Sequence, residues 1–565
     1  MKRLSEVIDI EHRSVRAVNF DEDLRDPDVL RGYVFGEHVL DALRRIAISF
    51  QEEPRTRAFS ITGPYGSGKS SFALLLCALL DAKGEETHRT ASKLLRKVDP
   101  QLADTFTRER RRLRIAERGL IPAIVTAERE PVPVAIVRAL SRGSDLYWGR
   151  RRKPRFVAEL HEAAAAGAGD SDFVISTFDR LIETAPILLV VDELGKNLEY
   201  ASEHPSSDLY LLQQLAEKVS SREGFSGGVL TLAHLGFEDY LGSAGDVRRR
   251  EWRKVHGRFE DIPFVANTAH SIALLDEALH FTGGKALEKS AHAKSAAAAA
   301  SLVKSAGVAA PAGLAELPPS TYPLHPTVAL ALPALAAALG QHDRSLVAYL
   351  TSDAPHALPA FLAIHELDSK QIPFVRLADL YDFFFSDGAV ADLTGPEGER
   401  AREIRGRIDE ARELDELELE VLKTLGVLNL MSGADRLGAS AGVVEEAVVG
   451  PDGGASERRG VRAILTRLSD RSLVTYRDFA GEYYVWEGSD FDARGHIAAA
   501  RDQLGVGGDS GQQVLEILDE ARPLRAAVAR RHSQRRHVLR YFECRYGWLA
   551  PKDGVVVESD DSDGV

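Results

Sequence analysis

Residues 63–70 read GPYGSGKS, and further along an apolar run, ILLVV, ends in Asp192 and Glu193. In the first segment Gly63, Gly66 and Gly68 let backbone N–H groups turn inward around phosphate oxygens, a conformation that side chains obstruct. Pro64, Tyr65 and Ser67 complete the loop. Lys69 supplies a point charge for β- and γ-phosphates, the Ser70 hydroxyl suits Mg²⁺, and Ser71 continues into a helix whose N-terminal dipole faces the anion. In the second segment Asp192 is placed to hold Mg²⁺ opposite Ser70, and Glu193 to polarise an attacking water. The chemistry these residues can do together is binding and hydrolysis of a nucleoside triphosphate. A kinase or a non-hydrolysing regulator does not need the second carboxylate.

Such residues require a strand, a tight turn and a helix in that order. RAFSIT precedes the loop as a short strand and SFALLLCALL follows it as an apolar helix. The run Ile187 to Val191 reads as a strand buried on both faces of a parallel sheet. IPAIVTA (121–127), GGVLTLAHL (227–235) and RFEDIPFV (258–265) supply three more strands, with helical patterns such as DFVISTFDRLIET and SSDLYLLQQLAEKVSS between them. Apolar strands alternating with helices predict a parallel sheet covered on both faces. Residues 31–50 predict a turn followed by an amphipathic helix.

The chain has 565 residues, 44% of them apolar and 28% charged, which predicts several domains and an ordinary soluble protein. Two cysteines exclude a disulfide framework and a structural zinc site of their own. The N-terminus MKRLSEVIDIEH lacks a signal-peptide core, and no long uncharged apolar stretch occurs, so a cytoplasmic protein with no membrane contact is expected. No HExxH motif and no nucleophile elbow is present. A net charge of −14 does not favour nucleic acid overall. Basic charge is local: RERRRLR (108–114), RRRKPR (150–155), RRREWRK (248–254) and the acid-free stretch from Arg522 to Arg540. Each reads as a solvated face or as a phosphate-binding patch.

The chain divides into an N-terminal segment (1–30), a P-loop domain (31–284), an Ala-rich insert or linker (285–320), a helical region (321–400), a helix–helix–helix–hairpin module (401–492), a basic C-terminal α+β segment (493–550) and an acidic tail (551–565) expected to be disordered. Three helices followed by a hairpin, LVTYRD and EYYVWEG, give the order of a winged helix-turn-helix. Its third helix carries Arg458, Arg459, Arg462 and Arg467, a possible DNA face. Trp486, Tyr483 and Tyr484 on the hairpin read as core or interface.

These features resemble the AAA+ and related P-loop ATPases, in particular the initiator-like (ORC/Cdc6-type) group with a helical lid and a winged helix. VFGEH is similar to the short box before the loop in that family, and HGRFEDIPF to the segment that carries an arginine finger. VVDELGKNLEYA, GRFEDIPF, PLHPTVALALP, HDRSLVAYLTSD, YYVWEGSDFD and VARRHSQRRHVLRYFE together resemble large ATP-binding proteins of bacterial anti-phage and DNA-modification systems. The resemblance implies ATP rather than GTP, in keeping with the lack of an NKxD motif. It implies His234 as a sensor of the γ-phosphate, with Thr231 as the weaker candidate. Arg258 is implied as a finger reaching a neighbouring subunit, against a local salt bridge to Glu260 or Asp261, and Arg344 as a lid arginine. It also implies a homo-oligomer formed through the ATPase domain and partner proteins of a defence system. Relatives of that kind continue past ARRHS…RYFE, so a C-terminal effector part is expected to be lost or borrowed from a partner. Two functions fit: an ATP-driven switch that assembles on or remodels DNA through the winged helix and basic C-terminal segment, or a nucleotide-gated signalling scaffold that touches no DNA.

Overall fold

Strand residues that are apolar on both sides of the backbone must be covered on both faces; four such strands and a more polar edge strand build the central sheet. They are β1 (Ala58–Thr62), β2 (Ile121–Thr126), β3 (Ile187–Asp192), β4 (Gly227–Ala233) and β5 (Glu260–Pro263). All pair in parallel, in the order β2-β3-β4-β1-β5. The computed structural model describes residues 2–485 except 12–17, 51–55, 65, 114, 205–208, 222–226, 242–245, 266, 308–309, 340–344, 369–371, 386–394, 412 and 432–435, with scattered positions beyond 485.

Alternate residues of β1 to β4 enter two separate cores, as the two-residue period of a strand dictates, while β5 contributes Ile262 to one of them. Ile187, Leu189 and Val191 of β3 face helices Val132–Trp148, Phe156–Ala165, Ser171–Thr184, Leu194–Glu203 and Tyr210–Ser221. Leu188 and Val190 face helices Glu37–Ser49, Lys69–Leu80, Glu86–Val98 and Pro100–Arg112. Every residue of β3 is buried. At roughly 1.5–3 kcal/mol per fully buried Val, Leu or Ile, this strand alone anchors the sheet firmly.

The register sets the site. Thr126 pairs with Asp192 and Thr62 with Ala233, so the ends of β2, β3, β4 and β1 lie along one edge of the sheet. The sheet has the parallel arrangement of a P-loop fold, with helices on both faces, a helical region after it and then the order of a winged helix-turn-helix. Ligands in such sheets bind beyond the carboxyl ends of the strands.

A third core joins residues near the N-terminus to the chain from 272 to 485. Strand Ile8–Ile10 pairs antiparallel with Leu279–Phe281, and Lys2–Arg3 with Glu366–Leu367. The first residues are thus stitched into the helical region. That region holds helices Pro326–Leu339, Leu346–Thr351, Leu358–Ile364, Leu377–Phe385 and Gly395–Glu410. The Ala-rich stretch forms one long helix, Lys285–Ala306, packed on Ala441–Val449, with Ala291, Ala298 and Leu302 fully buried. Small side chains allow the two helices to approach closely: a Cβ on Gly442 would lie 3.4 Å from the Ser305 carbonyl.

Helices Glu416–Leu430, Ala441–Val449 and Ala455–Asp470 precede strands Val474–Arg477 and Glu482–Val485, which pair as the hairpin. Residues 1–487 form one compact unit and 488–565 another. In the second unit, the described part of the basic segment is a pairing of Ala527–Val528 with Tyr541–Phe542. Most of that segment, Trp486 and the acidic tail lie outside the described residues. Among the described residues no helix is long and apolar enough to cross a membrane.

Candidate active site at the carboxyl edge of the sheet

β1 ends at Thr62, and the chain turns at once into the glycine loop. Gly66 (φ 73°) and Gly68 (φ 85°) occupy the left-handed region that side chains avoid, and Gly68 caps helix Lys69–Leu80. Gly63 is required for a different reason: a Cβ there would sit 2.1 Å from the carbonyl oxygen of Phe264, just past β5. A Cβ on Gly68 would meet nothing within 4 Å, so that side of the turn is open. A Cβ on Gly66 would come 3.7 Å from Ser345, the N-cap of helix Leu346–Thr351 in the helical region.

Lys69 is 7% exposed, and its ammonium donates to the carbonyls of Gly63 (2.6 Å) and Pro64 (2.7 Å). Burial pulls its pKa down to about 8, with Asp192 and Glu193 acting the other way. The Ser70 hydroxyl donates to Asp192 Oδ2 at 2.7 Å, while Asp192 Oδ1 accepts the Glu193 N–H at 2.8 Å. Burial pushes the Asp192 carboxyl above its ordinary range, against both of those bonds. Glu193 itself has φ 53° and ψ 37°, unusual for a residue with a side chain, and its carboxylate pairs with Lys196 one helical turn on. His234, just past β4, places Nδ1 3.4 Å from the Lys69 ammonium.

The structure therefore brings Gly63, Pro64, Gly66, Ser67, Gly68, Lys69, Ser70, Asp192, Glu193 and His234 to one edge, with Ser71 in the first turn of the helix. Tyr65 and Arg344 lie outside the described residues. Thr231 stays inside the sheet, fully buried, with its hydroxyl 3.4 Å from the Phe59 carbonyl. Arg258 is ion-paired at 3.1 Å with Glu217 of helix Tyr210–Ser221 rather than with Glu260 or Asp261. Asp261 instead accepts from Thr62.

A triphosphate fits this arrangement. The loop is open on the Gly68 side, and the Ser67 hydroxyl is buried with no hydrogen-bond partner among the described residues. Ser70 and Asp192 offer two adjacent hard oxygens of the kind Mg²⁺ takes together with phosphate and water. No group of three or more His, Cys, Asp or Glu among the described residues is arranged to hold a metal alone.

Sequence reasoning did not identify Tyr240. Its hydroxyl accepts the N–H groups of His234 (3.1 Å) and Leu235 (3.3 Å), and its ring lies against Gly195. The one available signal was Gly195 itself, since glycine near the start of a helix costs about 1 kcal/mol relative to alanine and usually has a packing reason.

Several arginines of the basic runs are engaged within the fold. Arg110 is buried and donates to the Asp81 carbonyl and to His88 Nε2, while Arg112 holds the Phe50 carbonyl and Glu109. Arg248 caps the carbonyls of Ala201 and Ser202 at the end of the helix that follows Glu193. On the third winged-helix segment, Arg458 pairs with Glu446 (2.8 Å), Arg462 with Glu445 and Arg467 with Glu418 (2.7 Å). Arg459 is exposed. The expected DNA face is therefore mostly neutralised by carboxylates of neighbouring helices.

No protein-family model and no curated protein matches the chain. Among solved structures, the chain is similar to the Aeropyrum pernix ORC2 protein in two forms. Its ADPNP–ADP complexes share 14% identity at a TM-score of 0.30, over 83% of this chain and 94% of that one. Its ADP form shares 13% identity at a TM-score of 0.30, over 86% and 99%.

Proposed function

We propose that this chain is a Mg²⁺-dependent ATPase of AAA+ type, a switch whose turnover drives assembly or remodelling with partner molecules. The observation that carries the reading is the 2.7 Å contact between Ser70 and Asp192, with Lys69 on one side and Glu193 on the other. In this reading the loop amides and Lys69 grip the phosphates. Mg²⁺ held by Ser70 and Asp192 would neutralise charge on the phosphate oxygens. Glu193 takes a proton from water as the water oxygen attacks the γ-phosphorus, and ADP leaves with the electron pair of the broken P–O bond. His234 senses the γ-phosphate, and Arg344 closes on it from the lid. The nearness of Ser345 to Gly66, 3.7 Å from where a Cβ on that glycine would sit, supports a lid that reaches the loop. Arg258, exposed by about half and two residues before β5, serves as the finger for a neighbouring copy.

The setting we propose, assembly on DNA in bacterial genome defence, rests on the sequence resemblance. The alternative, a nucleotide-gated scaffold that touches no DNA, is favoured by the pairing of Arg458, Arg462 and Arg467 with glutamates. One experiment tests both: steady-state nucleoside triphosphatase rates at several protein concentrations, with and without duplex DNA, single strands and RNA. Turnover that rises with protein concentration, and is lost in Arg258→Ala while ATP binding persists, supports the switch. Stimulation by DNA that falls steeply with salt selects the DNA reading. Indifference to nucleic acid, with ATP-dependent oligomers, selects the scaffold. Undiminished ATP affinity in Lys69→Ala removes the central claim.

A further inference from the structure

The segment after β4 contains a side chain that touches two parts of the site at once. The N–H groups of His234 and Leu235 lie beyond the last β1–β4 pair, Thr62 with Ala233, so no strand ladder satisfies them. The Tyr240 hydroxyl accepts both. On its other side, the position of a Cβ on Gly195 is 2.5 Å from Tyr240 Oη and 2.7 Å from two ring carbons. Gly195 lies in the first turn of the helix that begins directly after Glu193. Glu193 is held in a left-handed backbone conformation that local preference alone does not favour, so its position depends on what packs against that first turn. Tyr240 also has a fixed base: Phe237, three residues earlier, is fully buried and stacks on His256 at 4.7 Å.

We propose that Tyr240 is a positioning residue of this site: its hydroxyl holds the turn that carries His234 while its ring seats the first turn of the Glu193 helix, so the two move together. The proposal rests on the ATPase reading for its kinetic consequence but not for the coupling itself. A shift of the His234 turn when a γ-phosphate binds or leaves is passed through the Tyr240 ring to Gly195, and so to the carboxylate two residues before it.

Tyr240→Phe keeps the ring and removes the hydroxyl. Loss of such hydrogen bonds at roughly 1–1.5 kcal/mol should lower kcat about tenfold while ATP affinity stays within about twofold. Amide exchange should rise in both the 233–236 and the 194–198 segments. Gly195→Ala should displace the ring and lower kcat similarly, whereas Gly195→Ala added to Tyr240→Ala should cost nothing more, because the obstructing ring is gone. A kcat in Tyr240→Phe within about twofold of wild type would overturn the proposal, as would additive effects of the Gly195 and Tyr240 changes. If the wild-type chain neither binds nor hydrolyses ATP, the ATPase reading falls. The exchange data then decide the coupling alone: faster exchange in both segments of Tyr240→Phe supports it, and a rise confined to 233–236 overturns it.

Discussion

The buried ammonium of Lys69 makes ATP affinity depend on pH in a range where ordinary lysines do not titrate. In the free protein its pKa is pulled down to about 8. Phosphate oxygens around the ammonium favour the charged form and return the pKa to at least the ordinary value of about 10.4. The pKa is thus higher in the complex than in the free protein, so binding is at full strength well below pH 8 and weakens as pH rises through that value. The neutral fraction of free Lys69 is about one tenth at pH 7, one half at pH 8 and nine tenths at pH 9, and ATP binding takes up that fraction of a proton. Kd should therefore rise about tenfold between pH 7 and pH 9, or about 1.4 kcal/mol.

Titration calorimetry in two buffers of different ionisation enthalpy measures both quantities. The heat difference between buffers gives the proton uptake directly, and Lys69→Arg supplies the control because a guanidinium stays charged throughout this range. A Kd that is flat from pH 7 to pH 9, with no buffer-dependent heat, would refute the reasoning. So would the same pH dependence in Lys69→Arg.

Glu193→Gln should bind ATP with near wild-type affinity and trap it, with turnover down at least about a hundredfold, the usual contribution of a general base; single-turnover assays with labelled ATP check this, and wild-type turnover rules out its role. Arg458→Ala leaves the fully buried Glu446 carboxylate, among the described residues, with the Ser301 hydroxyl (2.7 Å) as its remaining hydrogen-bond donor. Unfolding free energy in urea should fall by about 3 kcal/mol, with recovery on adding Glu446→Gln. A fall of less than about 1 kcal/mol would mean that the pair is not holding the module together. His38, His88 and His270 are drawn down by burial to about 4, against an ordinary 6.5. Their folded values lie below their unfolded ones, so stability is intact above pH 6.5 and is lost as pH falls from 6.5 towards 4. Urea midpoints that do not drop between pH 7.5 and pH 5 would contradict this.

What the sequence made legible follows from how local each requirement is. Phosphate binding needs particular residue types within eight positions, and GPYGSGKS states them outright. A strand buried on both faces needs an unbroken apolar run, and Ile187 to Val191 is one. The Ser70–Asp192 contact was legible because the loop and the strand end each have a characteristic pattern. Tyr240 and Gly195 have none: they meet only because β3 lies beside β4, a fact of strand order that no short segment contains. Charge was legible as charge but not as pairing. Glu445 and Glu446 stand in VVEEAVV, where two acids read as an exposed face, yet they are 4% and 0% exposed because apolar neighbours bury the helix on nearly every side. A buried carboxylate needs a cation, and the arginines of the next helix supply it. The same arginines, read alone, resemble a nucleic-acid contact. An arginine run on a helix is therefore a DNA face only when the helices packed against it carry no buried acid, and here Glu418, Glu445 and Glu446 are that acid.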